Sequence, residues 1–206
     1  MNTVEIIFSP TGGTEKAANI ISSCWSERVT KIDLSEAKTD FSKCTIDKDD
    51  QVLIAMPSFG GRAPSVAIDR LKKISGNGAK CTLVCVYGNR AYEDTLVEME
   101  DAAKECGFHV VAAISAVAEH SIMPQYAAGR PNESDRMQLE NFAKRILEKT
   151  DAVNFVTMNG GIVIKESANQ KYTTDAFSRA LFTGVCQNVN VPVQSFANRS
   201  DVVGGS

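Results

Sequence analysis

Five short runs rich in β-branched and large aliphatic residues recur along the first 120 positions, at 4–8, 29–33, 51–56, 80–87 and 109–117. Most are apolar on both faces of an extended chain, so each face needs a covering layer. Between the runs lie stretches whose apolar residues return every three or four positions. They include Ala17, Ala18, Ile20 and Ile21, then Val66, Ile68, Leu71 and Ile74, and finally Met137, Leu139, Phe142, Ile146 and Leu147. A further helix is expected over 92–106, closed by Gly107, and the last one over 132–149, capped by Asn132 or Ser134. Strands alternating with helices predict an α/β fold: a five-stranded parallel sheet with helices on both faces. In such a sheet ligands bind beyond the carboxyl ends of the strands, near the point where strand order reverses. The loops after the first, third and fourth strands are therefore the places to look for chemistry.

Composition narrows the partners. Of 206 residues, 43% are hydrophobic and 23% charged, and the net charge of −3 is carried by the first 150. No clustered Lys and Arg offers a path for phosphate backbone, which argues against nucleic acid. No run reaches the roughly 20 apolar residues of a membrane span. The first residues lack a basic, then apolar, leader pattern, so a cytoplasmic location is expected. Six cysteines (Cys24, Cys44, Cys81, Cys85, Cys106 and Cys186) follow no disulfide or metal spacing and read as reduced, mostly buried thiols.

The first loop is Ser9-Pro10-Thr11-Gly12-Gly13-Thr14. Gly12 and Gly13 allow close backbone approach, the helix after them presents free N–H groups, and Ser9, Thr11 and Thr14 add hydroxyls. It holds no Lys or Arg, and neither a Walker loop nor a dinucleotide fingerprint is present. What remains is an uncharged cradle for one terminal phosphomonoester. The loop after the third strand contains Pro57, Ser58, Phe59, Gly60, Gly61 and Arg62, and its aromatic is expected to be exposed beside a flat ligand. Arg62 reads foremost as a solvated surface charge. The loop after the fourth strand carries Tyr87, Gly88, Asn89, Arg90 and Tyr92. His120, after the fifth strand, reads equally as a residue at the rim of the same site and as an exposed loop histidine, and His109 reads as structural.

The Ser-x-Thr-Gly-x-Thr pattern of the first loop resembles the phosphate loop of flavodoxins. That resemblance implies bound flavin mononucleotide (FMN), with its ring between the loops at 57–64 and 87–94 and Tyr92 stacked on it. The string Tyr-Gly-Asn-Arg-Ala-Tyr at 87–92, with Ala-Gly-Arg-Pro-Asn at 128–132, is similar to the flavodoxin portion of bacterial proteins in which a flavodoxin precedes a ferredoxin. No cysteine-rich ferredoxin follows here. The resemblance covers residues 1–150 and implies an electron carrier working with a ferredoxin-type protein or a reductase. An FMN-dependent oxidoreductase passing hydride from NAD(P)H to a quinone-like acceptor is the alternative, with Arg62, His120 and Tyr126 on the substrate side.

Residues 151–206 change character. A strand-like run at 159–165, a helix at 174–187 and a strand at 191–196 make a strand–helix–strand appendage too small to be an independent domain. The texts Gly-Gly-Ile-Val-Ile-Lys-Glu-Ser from 160 and Asn-Arg-Ser-Asp-Val-Val-Gly-Gly-Ser to 206 resemble an internal piece of aspartyl aminopeptidases. By that resemblance Asp201 matches a zinc ligand whose partners are absent from this segment. A truncated, inactive aminopeptidase-like module is thus a third reading, and a fusion junction is expected near 150–159.

Overall fold

The computed structural model describes residues 2–148 and, as backbone, 154–157 and 162–164. One sheet contains β1 (Thr3–Ile7), β2 (Val29–Asp33), β3 (Gln51–Pro57), β4 (Lys80–Tyr87), β5 (His109–Val117), β6 (Asn154–Thr157) and β7 (Ile162–Ile164). Their order is β2-β1-β3-β4-β5-β6-β7. The five expected strands are all parallel. Chain order reverses at β1, so the switch point lies between β1 and β3. Two short strands extend the sheet beyond the five expected: β6 joins β5 in parallel and β7 returns antiparallel to it. β7 falls within the strand expected at 159–165. The four-residue β6 carries too little pattern to be read from sequence. The expected helix at 174–187, the strand at 191–196 and Asp201 lie outside the described residues.

Four helices cover the faces: α1 (Gly13–Trp25), α2 (Ser65–Leu71), α3 (Thr95–Glu105) and α4 (Glu133–Glu148). Alternation along the central strands sorts the core into two layers. Val52, Ile54, Met56, Leu83 and Cys85 face α2 and α3, where Leu71, Leu96 and Met99 close the layer. Leu53, Ala55, Val84 and Val86 face α1 and α4, where Ile21, Leu139 and Phe142 close it. Trp25 Nε1 donates to the Ala143 carbonyl at 3.0 Å and ties α1 to α4.

Three helix boundaries differ from the periodic reading. α1 begins at Gly13 because Gly12, at φ +82°, turns the chain directly into the helix. α2 stops at Leu71, although Ile74 remains buried in the turn that follows. α3 begins at Thr95, because Glu93 takes the left-handed conformation at φ +41° and separates Tyr92 from the helix.

Burial of both sheet faces leaves one carboxyl group in an apolar setting. Glu5 on β1 is fully buried; its Oε2 accepts a hydrogen bond from Ser22 Oγ at 2.8 Å, and its Oε1 has no partner. Lys31, the cation that acts on it electrostatically, is paired with Glu15. Desolvation raises the Glu5 pKa above its ordinary 4.5, against the smaller opposing effects of Ser22 and Lys31. Above pH 4.5 the unfolded chain releases this proton while the folded one retains it, so stability falls as pH rises towards the folded value. Glu5→Gln keeps an acceptor for Ser22 and carries no charge. It should raise the urea midpoint at pH 7 and leave it nearly unchanged at pH 4, where both states of the parent are protonated. A variant destabilised at pH 7 would contradict the assignment.

Candidate functional site

The carboxyl ends of β1, β3, β4 and β5 converge on one edge of the sheet. After β1 the chain is fixed at several points. Ser9 Oγ accepts from the Glu15 amide at 2.9 Å, the Ser9 amide donates to Ser35 Oγ at 3.3 Å, and the Lys16 amide donates to the Gly12 carbonyl at 3.0 Å. The amides of Gly13 and Thr14, in the first turn of α1, take no acceptor among the described residues. A Cβ placed on Gly12 would meet nothing within 4 Å, so the loop faces open space. Two free donors at a helix N-terminus, with hydroxyls at Thr11 and Thr14 and no cation, suit a phosphate held by hydrogen bonds and the helix dipole. By this test the residues present fit the terminal phosphate of FMN.

After β3 the backbone folds into a tight turn, with Phe59 and Arg62 exchanging amide-to-carbonyl bonds of 2.9 and 3.2 Å. Gly60 and Gly61 occupy the turn at φ +60° and +82°. Phe59 is 51% exposed, as expected, and its ring stands edge-on to Phe8 at 6.5 Å, which places it beside the end of β1. The loop after β4 is laced to this one. The Ser58 amide donates to the Val86 carbonyl at 2.8 Å, the Asp94 amide to the Gly61 carbonyl at 2.9 Å, and Thr95 Oγ1 to Ser58 Oγ at 2.8 Å. A Cβ on Gly61 would fall 2.1 Å from Glu93 Oε2, so only glycine permits this contact. Glu98 on α3 grips the Arg62 guanidinium and accepts from the Ala63 amide at 2.8 Å. Arg62 is therefore an ion-paired residue that buttresses the turn, not a merely solvated charge.

Tyr87 is buried. Tyr92 is half-buried, stands edge-on to Tyr87 with centroids 5.3 Å apart, and packs against the core layer under α2 and α3. Burial pushes the Tyr92 phenol well above its usual range. Asn89, at φ +67°, and Arg90 are exposed, and Arg90 lies 3.5 Å from Glu93. The expected residues Pro57, Ser58, Phe59, Gly60, Gly61, Tyr87, Gly88, Asn89, Arg90 and Tyr92 thus share one edge with Ser9, Thr11, Gly12, Gly13 and Thr14.

A strap over 118–131 closes the side next to β5. The Glu119 amide donates to the Arg130 carbonyl at 3.0 Å, and the Gly129 amide to Glu119 Oε2 at 2.8 Å. Arg130 makes a two-pronged pair with buried Asp135, including Nε to Oδ2 at 2.7 Å. The Asn132 amide donates to Asp135 Oδ2 at 2.8 Å, and the Asp135 amide to Asn132 Oδ1 at 3.1 Å, a reciprocal cap that opens α4. The Asn132-x-x-Asp135 spacing held this signal in the sequence; its link to Arg130 was not visible there. A groove of about 630 Å³ between α2 and α3, which shares Phe59 and Arg62 with the turn after β3, is unsuited to an anion. Its cations Arg62 and Lys72 are paired with Glu98 and Glu105, and Asp69 and Asp101 also line it.

Comparison with solved structures shows a flavodoxin-like fold. The chain superposes on flavodoxin 2 of Bacillus cereus with a TM-score of 0.53 at 18% identity, covering 73% of this chain and 100% of that one. Flavodoxin 1 of the same organism gives 0.52 at 16%, with 73% and 100% covered. The rubredoxin oxygen:oxidoreductase of Desulfovibrio gigas gives 0.52 at 16%, with 72% and 36% covered. The C-terminal part has a different likeness. Residues 141–206 match the family model for the aminopeptidase I zinc metalloproteases (M18). The probable M18 family aminopeptidase 2 of Clostridium novyi is 48% identical over 59 residues, and that of Clostridium acetobutylicum 51% over 59. Each alignment takes in 29% of this chain and 14% of the relative, so the chain spans only a small part of those relatives' length. The family match begins inside α4, ahead of the expected junction at 150–159.

The Arg130–Asp135 pair supports the strap, and it holds the Asp135 carboxyl below its ordinary 3.8. Stability from this pair is complete above the unfolded value and is lost as pH falls through the depressed folded value. Asp135→Asn should cost about 2 kcal/mol in urea unfolding at pH 7, because it leaves a partly buried guanidinium without its counter-charge. The gap from the parent should narrow once the pH drops below 3.8.

Proposed function

We propose that residues 1–150 form an FMN-binding domain that carries electrons in the manner of a flavodoxin. The observation that carries the reading is the uncharged cradle at 9–14, with the free Gly13 and Thr14 amides, set at the switch-point end of the sheet beside two interlaced loops. Thr11, Thr14 and those amides would hold the phosphate. The turn at 57–62 and the segment 87–92 would border the ring, with Phe59 on the side towards β1. When bound, FMN would supply one- and two-electron transfer, so no side-chain acid or base is required. The chain's own contribution is to fix the ring edge between loops that brace each other. Residues 151–206 are read as an aminopeptidase-like segment in which the resemblance matches Asp201 to a zinc ligand. A redox protein of the ferredoxin or reductase type is the expected partner, and the cytoplasm the expected compartment. No helix among the described residues is long and apolar enough to cross a membrane.

A second reading, transfer of hydride from NAD(P)H to a quinone-like acceptor, draws support from one feature. Ile122, 83% exposed, and Tyr126, 53% exposed, offer apolar side chains on the strap after β5. A flat acceptor could rest against them.

The purified protein should show a flavin absorption spectrum, and acid should release FMN identified by mass and phosphate content. Thr11→Ala should weaken FMN binding about tenfold, the loss expected for one hydrogen bond to a charged group. A colourless protein that also fails to take up added FMN would overturn the reading. Steady NADH or NADPH turnover with a quinone would favour the oxidoreductase over the carrier.

A further inference from the structure

His120 makes contacts that the flavin reading does not use. Its Nδ1 accepts hydrogen bonds from the amides of Ile122 and Met123, both at 3.2 Å. Its own amide donates to the Tyr126 carbonyl at 3.1 Å, and the Tyr126 amide donates to the Met123 carbonyl at 3.0 Å. One imidazole nitrogen thus organises the whole tip of the strap. The opposite edge of the ring lies on Gly88: a Cβ there would fall 2.5 Å from His120 Cδ2 and 2.9 Å from its Cβ. No larger residue fits at position 88 while the ring keeps this place.

We propose that His120 is a positioning residue that locks the strap at 120–126 onto the 88–92 segment, and that gaining a proton releases the lock. The donor set demands it. A nitrogen that accepts from two amides must be unprotonated, with the hydrogen on Nε2. A protonated imidazole carries N–H on both nitrogens, so Nδ1 would turn a donor towards two donors and both bonds would be lost. Imidazole is the side chain suited to make this change within the physiological pH range. Among the described residues no carboxylate is hydrogen-bonded to or ion-paired with the imidazole. Glu119 is held by the Gly129 amide, Arg130 by Asp135, and Arg90 lies against Glu93. Tyr126 meets the imidazole with ring centroids 6.5 Å apart. The lock rests on the flavin reading only for its consequence: 88–92 is the segment assigned to the ring, so release should loosen FMN.

The test is a pH titration, from 8 to 5, of the full chain without flavin, read on the amide resonances of Ile122 and Met123. In the parent both should move together with the imidazole resonances of His120. In His120→Asn, whose amide oxygen can accept from the same donors without titrating, they should stay at their locked positions throughout. In His120→Ala they should sit at unlocked positions at every pH. With FMN added, affinity should fall about tenfold across the titration in the parent, the equivalent of about one net hydrogen bond, and stay level in His120→Asn. Amide resonances that ignore the imidazole titration, or a His120→Asn protein that behaves as His120→Ala, would overturn the lock. A chain that binds no FMN would overturn the flavin reading alone, because the flavin-free titration judges the lock separately.

Discussion

A parallel sheet buried on both faces can show its backbone to solvent and ligand only at its ends and edges. Here that restriction is nearly complete in the centre: Val52 to Met56 on β3 and Cys81 to Val86 on β4 are all buried, split between two apolar layers. Chain polarity then does the rest. Because β1, β3, β4 and β5 run the same way, the loops at 9–14, 57–64, 88–94 and 118–131 must gather at one edge. No loop is placed there by its own preference. The packing of the layers brings them together, and local bonds then brace them.

That bracing explains why the edge can be both open and defined. The turn after β3 and the segment after β4 share backbone bonds through Ser58, Gly61 and Asp94, and a carboxylate from α3 fastens the turn from outside. The strap after β5 is anchored to the start of α4 by Arg130 and Asp135. The loop after β1 keeps the Gly13 and Thr14 amides as unused donors at the start of a helix, and it faces open space at Gly12. Rigid surroundings with a few unspent hydrogen-bond donors are what a bound anion needs, since the donors require no rearrangement when it arrives.

Much of this was legible in the sequence because burial on both faces writes itself as continuous apolar runs. The five parallel strands, the places of their loops and the exposure of Phe59 all follow from that signal. The misreadings share a cause: periodicity reports which side chains are buried, not where the backbone turns. Ile74 is buried beyond the end of α2, and Tyr92 packs on the core from a turn ahead of α3, so both counted as helical. Arg62 reads as a free charge because its partner Glu98 is distant in sequence and on another element. The bonds of His120 are local, but they depend on a turn geometry that composition does not reveal. In α4 the two likenesses overlap: the aminopeptidase match starts at Asn141, yet Phe142, Ala143 and Ile146 fill the layer beneath β5. An amphipathic helix satisfies any apolar face of suitable shape, so its residues do not say to which ancestor they belong.

The bond from Trp25 to the Ala143 carbonyl joins residues 118 positions apart, and Trp25 is the chain's single tryptophan. The indole lies on the layer between α1 and α4, partly buried against it. The emission of the protein is therefore a gauge of one event, the seating of α4, the last helix before the aminopeptidase-like tail, on α1, the helix that follows the phosphate cradle. A chain in which that helix left α1 would announce it in the colour of its fluorescence.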